Sequence, residues 1–206
     1  TLSRAVTAYA PVGRFDDLLR LVATAGAPEP PYLVDVGGAR LAQRLKNARL
    51  RRVGLLPATR SAPVHDAAAM LARPLAMFTE SLVLALDPER TTVPGEKPGS
   101  GIEAVFASVL APGVVRLVPF APAPTGAKVE SIRFLLRFAE ENERAWAHLL
   151  TDLSGCSLPG ELLGVLRLLD GIIVVGAAAV TTEKDLLSTM ARVPPELAVG
   201  VLLVGD

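Results

Sequence analysis

The chain has 206 residues, of which 50% are hydrophobic and 20% are charged, and its formal net charge is zero. This composition supports the core of one α/β domain, argues against disorder, and gives no overall attraction to nucleic acid. The single cysteine, Cys156, excludes an intramolecular disulfide, and two histidines are too few for a histidine cluster. No apolar run reaches the ~20 residues of a membrane helix, and charges interrupt the early apolar stretches, so we expect a cytoplasmic protein.

The first half of the chain alternates between helical and strand patterns. Residues 1–31 predict a helix, Phe15–Thr24, and a Pro-rich linker, while residues 32–206 predict the main domain. Apolar runs bounded by turn residues predict three strands, which are Tyr32–Val36, Val53–Leu56 and Leu82–Leu86. Apolar residues at helical spacing predict two helices, Ala39–Arg51 and Val64–Phe78. Pro74 is expected to kink or shorten the second helix.

The second half continues this alternation after a loop rich in Pro, Gly and charged residues at positions 88–101. The residues from Gly101 to Leu110 predict a short helix. Further helices are predicted over Lys128–Glu143, from Pro159 onward, and over Val180–Ala191. Further strands are predicted over Val114–Val118, Leu149–Thr151, Ile172–Val175 and Val199–Val204.

The alternation holds along the whole chain and predicts an α/β fold. Because crossover connections between parallel strands are right-handed, we expect a three-layer, mostly parallel sheet of six or seven strands flanked by helices. The clearest unit runs from Trp146 to Gly176 and reads as strand, Asp152, tight loop, helix and strand. In open α/β sheets ligands bind at the carboxyl ends of the strands, where Asp152 is expected to lie.

Several of these segments carry a family resemblance. One apolar strand is followed by Asp87 and Glu89, a second ends in Asp152, and Leu-Asp-Gly precedes the strand Ile172–Val175. Residues 50–206 thereby resemble the deviant-Walker P-loop ATPases of the MinD/ParA type. They are most similar to the tyrosine autokinase domains of bacterial capsule and exopolysaccharide export. The resemblance implies a P-loop NTPase-like fold, and it matches the predicted helix before Leu110 to a short helix of the family.

The phosphate-binding loop of that family has no counterpart in the matching stretch, Pro57–Asp66. A P-loop surrounds phosphates with backbone N–H groups of a Gly-rich loop and adds a lysine for the phosphates and a Ser or Thr for Mg²⁺. Here Val64 stands at the lysine position, Pro63 removes an N–H donor, and Asp66 places negative charge near the phosphate position. Both tyrosines lie within the first 32 residues, whereas the family kinases carry a C-terminal cluster. ATP hydrolysis by the family mechanism is therefore not expected.

Five residues are predicted to line the remnant of the nucleotide cleft: Thr59, Arg60, Asp87, Glu89 and Asp152. The carboxylates could hold a divalent cation, and Arg60 could replace the lost lysine as a contact for an anion. In the other interpretation the carboxylates cap the turns that follow them, and Arg60 is a solvated loop residue. We favour the second interpretation, because a metal without a phosphate anchor binds weakly. No cofactor is expected.

A run of basic residues before the degenerate loop is the candidate interaction surface, represented by Arg40, Arg44 and Arg51. On a helix, residues four apart share a face. In the resembled kinases, the helix before the P-loop strand mediates ring assembly through Glu and Arg, and here the arginines recur without the acidic residue. An acidic lipid, a nucleic acid or a protein could use this patch, and a merely solvated face is the alternative.

The sequence therefore predicts a catalytically inactive ATPase- or kinase-like domain that acts as a protein-interaction or regulatory scaffold. By resemblance, the expected setting is polysaccharide export or subcellular positioning, with protein partners in a membrane-associated machine and no nucleic acid. A homo-oligomer is a further expectation. The alternative is an atypical enzyme that binds a nucleotide or phosphorylated ligand through Arg60, with Asp87 and Asp152 on Mg²⁺.

Overall fold

The computed structural model describes residues 10–24, 36–88, 104–120, 128–156 and 159–205. The strands in these ranges are β1 (Ala10–Val12), β2 (Arg52–Pro57), β3 (Leu82–Leu86), β4 (Ala104–Ala111), β5 (Val114–Phe120), β6 (Trp146–Asp152), β7 (Gly171–Ala177) and β8 (Ala198–Val204). The α-helices are α1 (Phe15–Thr24), α2 (Val36–Asn47), α3 (Val64–Thr79), α4 (Lys128–Glu140), α5 (Pro159–Leu166) and α6 (Glu183–Met190). None of these helices is long and apolar enough to cross a bilayer.

All eight strands belong to one sheet, in the order β1-β4-β5-β3-β6-β2-β7-β8. The five pairings from β5 to β8 are parallel, and β1 and β4 add two antiparallel pairings at one end. The predicted α/β class and the mostly parallel sheet are therefore confirmed. The sheet is wider than the predicted six or seven strands, because β1 and β4 are additions to the predicted set.

Two hydrophobic cores on opposite faces of the sheet give the fold its three layers. Helices α2 and α3 cover one face, where Leu45, Leu71 and Leu75 are fully buried. Helices α1, α4 and α5 cover the other face, where Ile132 and Val165 are fully buried. The central strands are apolar along their length because helices cover them on both sides.

The described part of β4 shows that the helix predicted over Gly101–Leu110 is wrong. Residues 104–111 form a strand that pairs antiparallel with β5. Pro112 and Gly113 connect the two strands, and Gly113 has a φ of 71°, which a tight turn accepts readily from glycine. The Pro-Gly pair marks a turn, and pairing with β5 outweighs the helical spacing of the apolar residues before it. The match of this segment to a family helix is therefore also wrong.

Several helices differ from their predicted bounds. α4 ends at Glu140 rather than Glu143, and α6 begins at Glu183 rather than Val180. α2 runs over Val36–Asn47 rather than Ala39–Arg51, so Val36, the predicted end of the strand Tyr32–Val36, is helical, and the other residues of that strand lie outside the described ranges. α3 continues through Pro74 to Thr79, so the proline does not end the helix. Pro74 is itself buried, and burial of this helix on the sheet outweighs the backbone hydrogen bond that the proline removes.

The N-terminal segment contributes to the main core. The predicted helix Phe15–Thr24 is confirmed, and Phe15 and Leu18 are buried among residues of the sheet and of α4. The ring of Phe15 lies 5.9 Å from that of Phe138. The predicted linker lies outside the described residues, and the division of the chain at residue 31 stays a prediction.

Gly54, in the middle of β2, allows the centre of the sheet to pack closely. A Cβ atom at this position would lie 2.7 Å from the Cδ1 atoms of Ile172 and Leu153 and 2.8 Å from that of Leu169. All three neighbours are buried, so none can move aside without displacing others. Gly200 in β8 offers a contrast, since a Cβ there would meet nothing within 4 Å.

We expect Gly54→Ala to lower the free energy of unfolding by about 1–3 kcal/mol, because the added methyl group overpacks the core. Gly200→Ala, the matched control in the edge strand, should be neutral or stabilising by about 0.4–1 kcal/mol, since it only restricts the unfolded chain. Urea denaturation followed by circular dichroism measures both. Equal effects at the two positions would contradict the close packing around Gly54.

Candidate functional site

The loop between β2 and α3 lies where a phosphate-binding loop would be expected. β2 is an interior strand between β6 and β7, and residues 58–63 connect it to Val64, the first residue of α3. Pro63 occupies the N-cap position and forms no side-chain hydrogen bond to the helix. The loop contains neither glycine nor lysine. It therefore lacks the residue types that let a backbone approach and bind phosphate.

Three N–H groups in this region donate to main-chain carbonyl groups. The N–H of Ala58 donates to the Val175 oxygen over 2.8 Å, that of Ala62 to the Thr59 oxygen over 3.1 Å, and that of Val64 to the Ala62 oxygen over 2.9 Å. In a phosphate-binding nest, successive N–H groups point instead at the anion. The backbone of this region thus directs three of its donors to acceptors within the chain.

Three charged side chains from consecutive strands lie in a row. Arg116 is the third of the seven residues of β5, Asp87 follows β3, and Asp152 ends β6. Arg116 is in register with Ala85, two residues before Asp87, so both charged side chains leave the same face of the sheet. All three line one cavity with His65, from the first turn of α3. The structure therefore brings together Asp87 and Asp152, as the sequence predicted.

Asp87 forms an ion pair with Arg116. The guanidinium Nη2 contacts Oδ2 of Asp87, and only 12% of the Asp87 side chain and 20% of the Arg116 side chain are exposed. A carboxylate this buried needs a partner, because transfer of an unpaired charge out of water is costly. The pair therefore satisfies a charge that the fold places below the surface.

Asp152 closes the turn that follows β6, since its Oδ1 accepts the N–H of Ser154 over 2.6 Å. Burial raises the pKa of the Asp152 carboxyl, the hydrogen bonds from Ser154 oppose this shift, and the charge of Asp87 adds to it. Lys128, whose Nζ donates to the Ser154 carbonyl and packs over Gly155, also acts to lower the pKa. The fold thus holds Asp152 where its charge is disfavoured, as is common at functional sites.

The cavity among these residues is small. Its volume is about 10 Å³, which is space for about one water molecule. Mg²⁺ usually keeps several water ligands and binds phosphate oxygens beside one or two carboxylates. Among the described residues, no group of three or more His, Cys, Asp or Glu side chains is arranged to hold a metal. The arrangement does not fit a magnesium–nucleotide complex.

The other predicted cleft residues lie apart from this cavity. Thr59 is half-buried in the β2–α3 loop, with Oγ1 3.2 Å from Oγ of Ser61. Arg60 is exposed in the same loop, and neither Thr59 nor Arg60 lines the cavity. Glu89 lies outside the described residues.

Two of the three predicted surface arginines share the outer face of α2. Arg40 and Arg44 are exposed, while Leu41 and Leu45 bury the opposite side of the helix. The sequence of α2 contains no acidic residue. The face is therefore positive and has no acidic neighbour within its own helix.

Arg51 does not extend this face, in contrast to the prediction. It lies beyond the end of α2, and its guanidinium forms an ion pair with Glu143 at 2.8 Å. It also donates to the carbonyl of Trp146 over 2.9 Å and stacks 4.4 Å from the centre of the Trp146 ring. Arg51 therefore fixes the segment before β6, and only Arg40 and Arg44 of the predicted trio remain on α2.

Cys156 is a structural residue rather than an activated nucleophile. Its side chain is buried, and burial raises the pKa of the thiol to about 11. Reactive cysteines show the opposite shift, toward a lower pKa. His148, a potential base, has Nδ1 2.9 Å from the carbonyl oxygen of Leu50, just before β2 begins and thus at the opposite edge of the sheet.

Arg116 and Lys128 are the residues of this site that sequence analysis missed. Arg116 is the only charged residue in the apolar run Val114–Phe120, and a charge inside a buried strand signals a buried partner. The sequence predicts Lys128 only as the first residue of a helix and gives it no role in the site. Its position over the turn after β6 depends on tertiary packing of α4, which no local pattern encodes.

Comparison with known proteins identifies the fold. The chain matches the kinase domain of the Escherichia coli tyrosine kinase ETK with a TM-score of 0.58 and 16% identity, over 95% of this chain and 87% of that one. It matches the BceF tyrosine kinase domain with a TM-score of 0.55 and 14% identity, over 82% and 74% of the two chains. The VpsO kinase domain gives a TM-score of 0.55 and 14% identity, over 93% and 98%. No family model and no curated protein matches the sequence.

These matches confirm the fold that the resemblance implied, which is the P-loop NTPase-like fold of bacterial tyrosine kinase domains. At 14–16% identity they establish the fold alone. One fold carries many activities, so function has to be argued from the residues of this site.

We expect Asp152→Asn to raise the melting temperature at pH 7.5, because asparagine keeps the acceptor for Ser154 and removes a charge that burial disfavours. The gain should shrink as the pH falls through the raised pKa of the folded protein. It should vanish below the ordinary value of 3.8, where both folded and unfolded chains carry the protonated acid. Thermal denaturation across pH 3.5–8 measures the profile.

Asp185→Asn is the matched control for this measurement. Asp185 is exposed, hydrogen bonds from Thr182 lower the pKa of its carboxyl, and the two residues form a capping box at the start of α6. The same substitution there should lower the melting temperature at pH 7.5. A loss of stability at both positions would contradict the argument for Asp152.

Proposed function

We propose that this chain is a catalytically inactive ATPase- or kinase-like domain that serves as a protein-interaction or regulatory scaffold. The observation that carries the proposal is the β2–α3 loop. It has no glycine or lysine, and Ala58, Ala62 and Val64 direct their N–H groups to main-chain carbonyls. Much of the catalysis of phosphoryl transfer comes from positioning and from charge stabilisation of the phosphates. A loop without these donors supports a scaffold better than a catalyst.

The setting and the partners follow from the resemblance to tyrosine autokinases and positioning ATPases. We place the domain in the cytoplasm, in polysaccharide export or subcellular positioning, and in contact with proteins of a membrane-associated machine. The zero net charge supports proteins rather than nucleic acid as partners. The outer face of α2, with Arg40 and Arg44, is the proposed contact surface.

A rival function has one observation in its favour, the shared cavity of Asp87 and Asp152. In this rival, the carboxylates hold Mg²⁺ while Arg60 contacts the phosphates of a nucleotide or another phosphorylated ligand. The exposed position of Arg60 permits such a contact. The ion pair of Asp87 with Arg116 weighs against the metal.

Calorimetric titration with Mg-ATP separates these two functions. The proposed scaffold should show no saturable binding, with a Kd weaker than about 1 mM. The rival predicts a Kd on the order of micromolar for the unaltered chain and at least a tenfold loss in Arg60→Ala. Tight binding by the unaltered chain would contradict the proposed inactivity, and retention of that binding in Arg60→Ala would also remove the rival.

Assembly through α2 is the second element of the proposal. The arginines of one copy can meet an acidic surface on another copy or on a different protein, and such contacts weaken as salt rises. Light scattering at 50 mM and 500 mM NaCl should detect a homo-oligomer at the lower salt concentration. Arg44→Glu should shift it toward the monomer.

Lys184→Glu is the matched control, because it reverses an exposed cation on a different helix, α6. It should leave the oligomer unchanged. A monomer in all three proteins at both salt concentrations would remove the homo-oligomer and leave only different proteins as partners of α2.

A further inference from the structure

The cavity at the carboxyl ends of β3 and β6 is lined by an internal cation, Arg116 of β5. These strands are consecutive in the sheet, so Arg116, Asp87 and Asp152 follow one another on the face that α3 covers. Asp87 stands between the other two residues. Its Oδ2 is the atom that the guanidinium contacts.

Two neighbouring carboxylates below a protein surface require a compensating positive charge. Parallel strands lie about 4.8 Å apart, so the main-chain positions of Asp87 and Asp152 are close. A divalent cation is one way to supply that charge, and a basic side chain is another. Here Arg116 contacts Asp87, and Lys128 lies near Asp152 with its Nζ on the Ser154 carbonyl.

We propose that Arg116 is a tethered cation that takes the place of a divalent metal beside Asp87 and excludes such metals from the cleft. The inference deepens the proposed function, on which it rests, by giving a physical reason for the loss of metal-dependent chemistry. A guanidinium stays protonated throughout the physiological pH range, so the positive charge beside Asp87 persists over that range.

The size of the cavity supports this assignment. About 10 Å³ accommodates roughly one water molecule, whereas Mg²⁺ or Mn²⁺ brings several ligands at octahedral positions. A metal could enter only after the guanidinium leaves Asp87. Removal of the Arg116 side chain would vacate that space and take away the guanidinium charge beside Asp87.

The experiment uses Mn²⁺ alone, followed by electron paramagnetic resonance of the free ion. The unaltered chain should show no saturable binding up to about 1 mM, the weak end of carboxylate sites. Arg116→Met should bind one Mn²⁺ with a Kd at least tenfold below that limit. Arg116→Lys, which keeps a cation, should resemble the unaltered chain, and the double variant Arg116→Met/Asp87→Asn should lose the acquired binding.

Thermal denaturation provides a second measurement, because Arg116→Met removes the ion pair with the buried Asp87 and lowers stability. Mn²⁺ should raise the melting temperature of Arg116→Met but neither that of the unaltered chain nor that of the double variant. Failure of Mn²⁺ to bind or stabilise Arg116→Met would overturn the proposal. So would Mn²⁺ binding by the unaltered chain that Asp87→Asn abolishes, a result that needs no destabilised variant.

These outcomes are distinct from a failure of the proposed function. Mg-ATP binding by the unaltered chain without binding of Mn²⁺ alone would contradict the inactive scaffold and leave the tethered cation in place. Mn²⁺ binding by the unaltered chain that Asp87→Asn abolishes, without any binding of Mg-ATP, would contradict the tethered cation and leave the scaffold in place.

Discussion

Burial of the central strands on both faces is the constraint on which the rest of the structure depends. Strands β2, β3, β6 and β7 lie between two layers of helices, so most of their interior side chains are apolar, with His148 and Thr151 of β6 as buried polar exceptions. In these four strands, charged groups stand at the strand ends, where loops and helix starts give access to solvent. That is why Asp87 and Asp152 meet at one edge, and why Gly54 fits where any side chain would collide with three neighbours.

At that edge, the chemistry of the site is decided by how charge is balanced. A metal-dependent nucleotide site leaves its carboxylates open toward a cation and its loop N–H groups open toward phosphate. In this protein Arg116 pairs with Asp87, and three N–H groups of the β2–α3 region bond to main-chain carbonyls. One of the two carboxylates and three of the N–H groups in this region are thus bonded to partners within the chain.

The retained scaffold has its own consequences for function. The outer face of α2 carries Arg40 and Arg44. Because the apolar side of this helix packs in the core, the two arginines point to solvent. Arg51 shows the opposite case, a basic residue drawn into the structure by Glu143 and Trp146. A run of like charges in a sequence can therefore contain both residues that bond within the fold and residues that point to solvent, and solvent exposure distinguishes these two kinds of residue.

The sequence by itself determined the α/β class, the mostly parallel sheet and the absence of Gly and Lys from the β2–α3 loop, because strand and helix periodicity and local composition are local properties. It also placed Asp87 and Asp152 at strand ends. Only the tertiary structure decided that residues 104–111 form a strand, since pairing with β5 outweighs their helical spacing. Likewise, the partnership of Asp87 with Arg116 arises from the register of β3 and β5, which joins residues 29 positions apart.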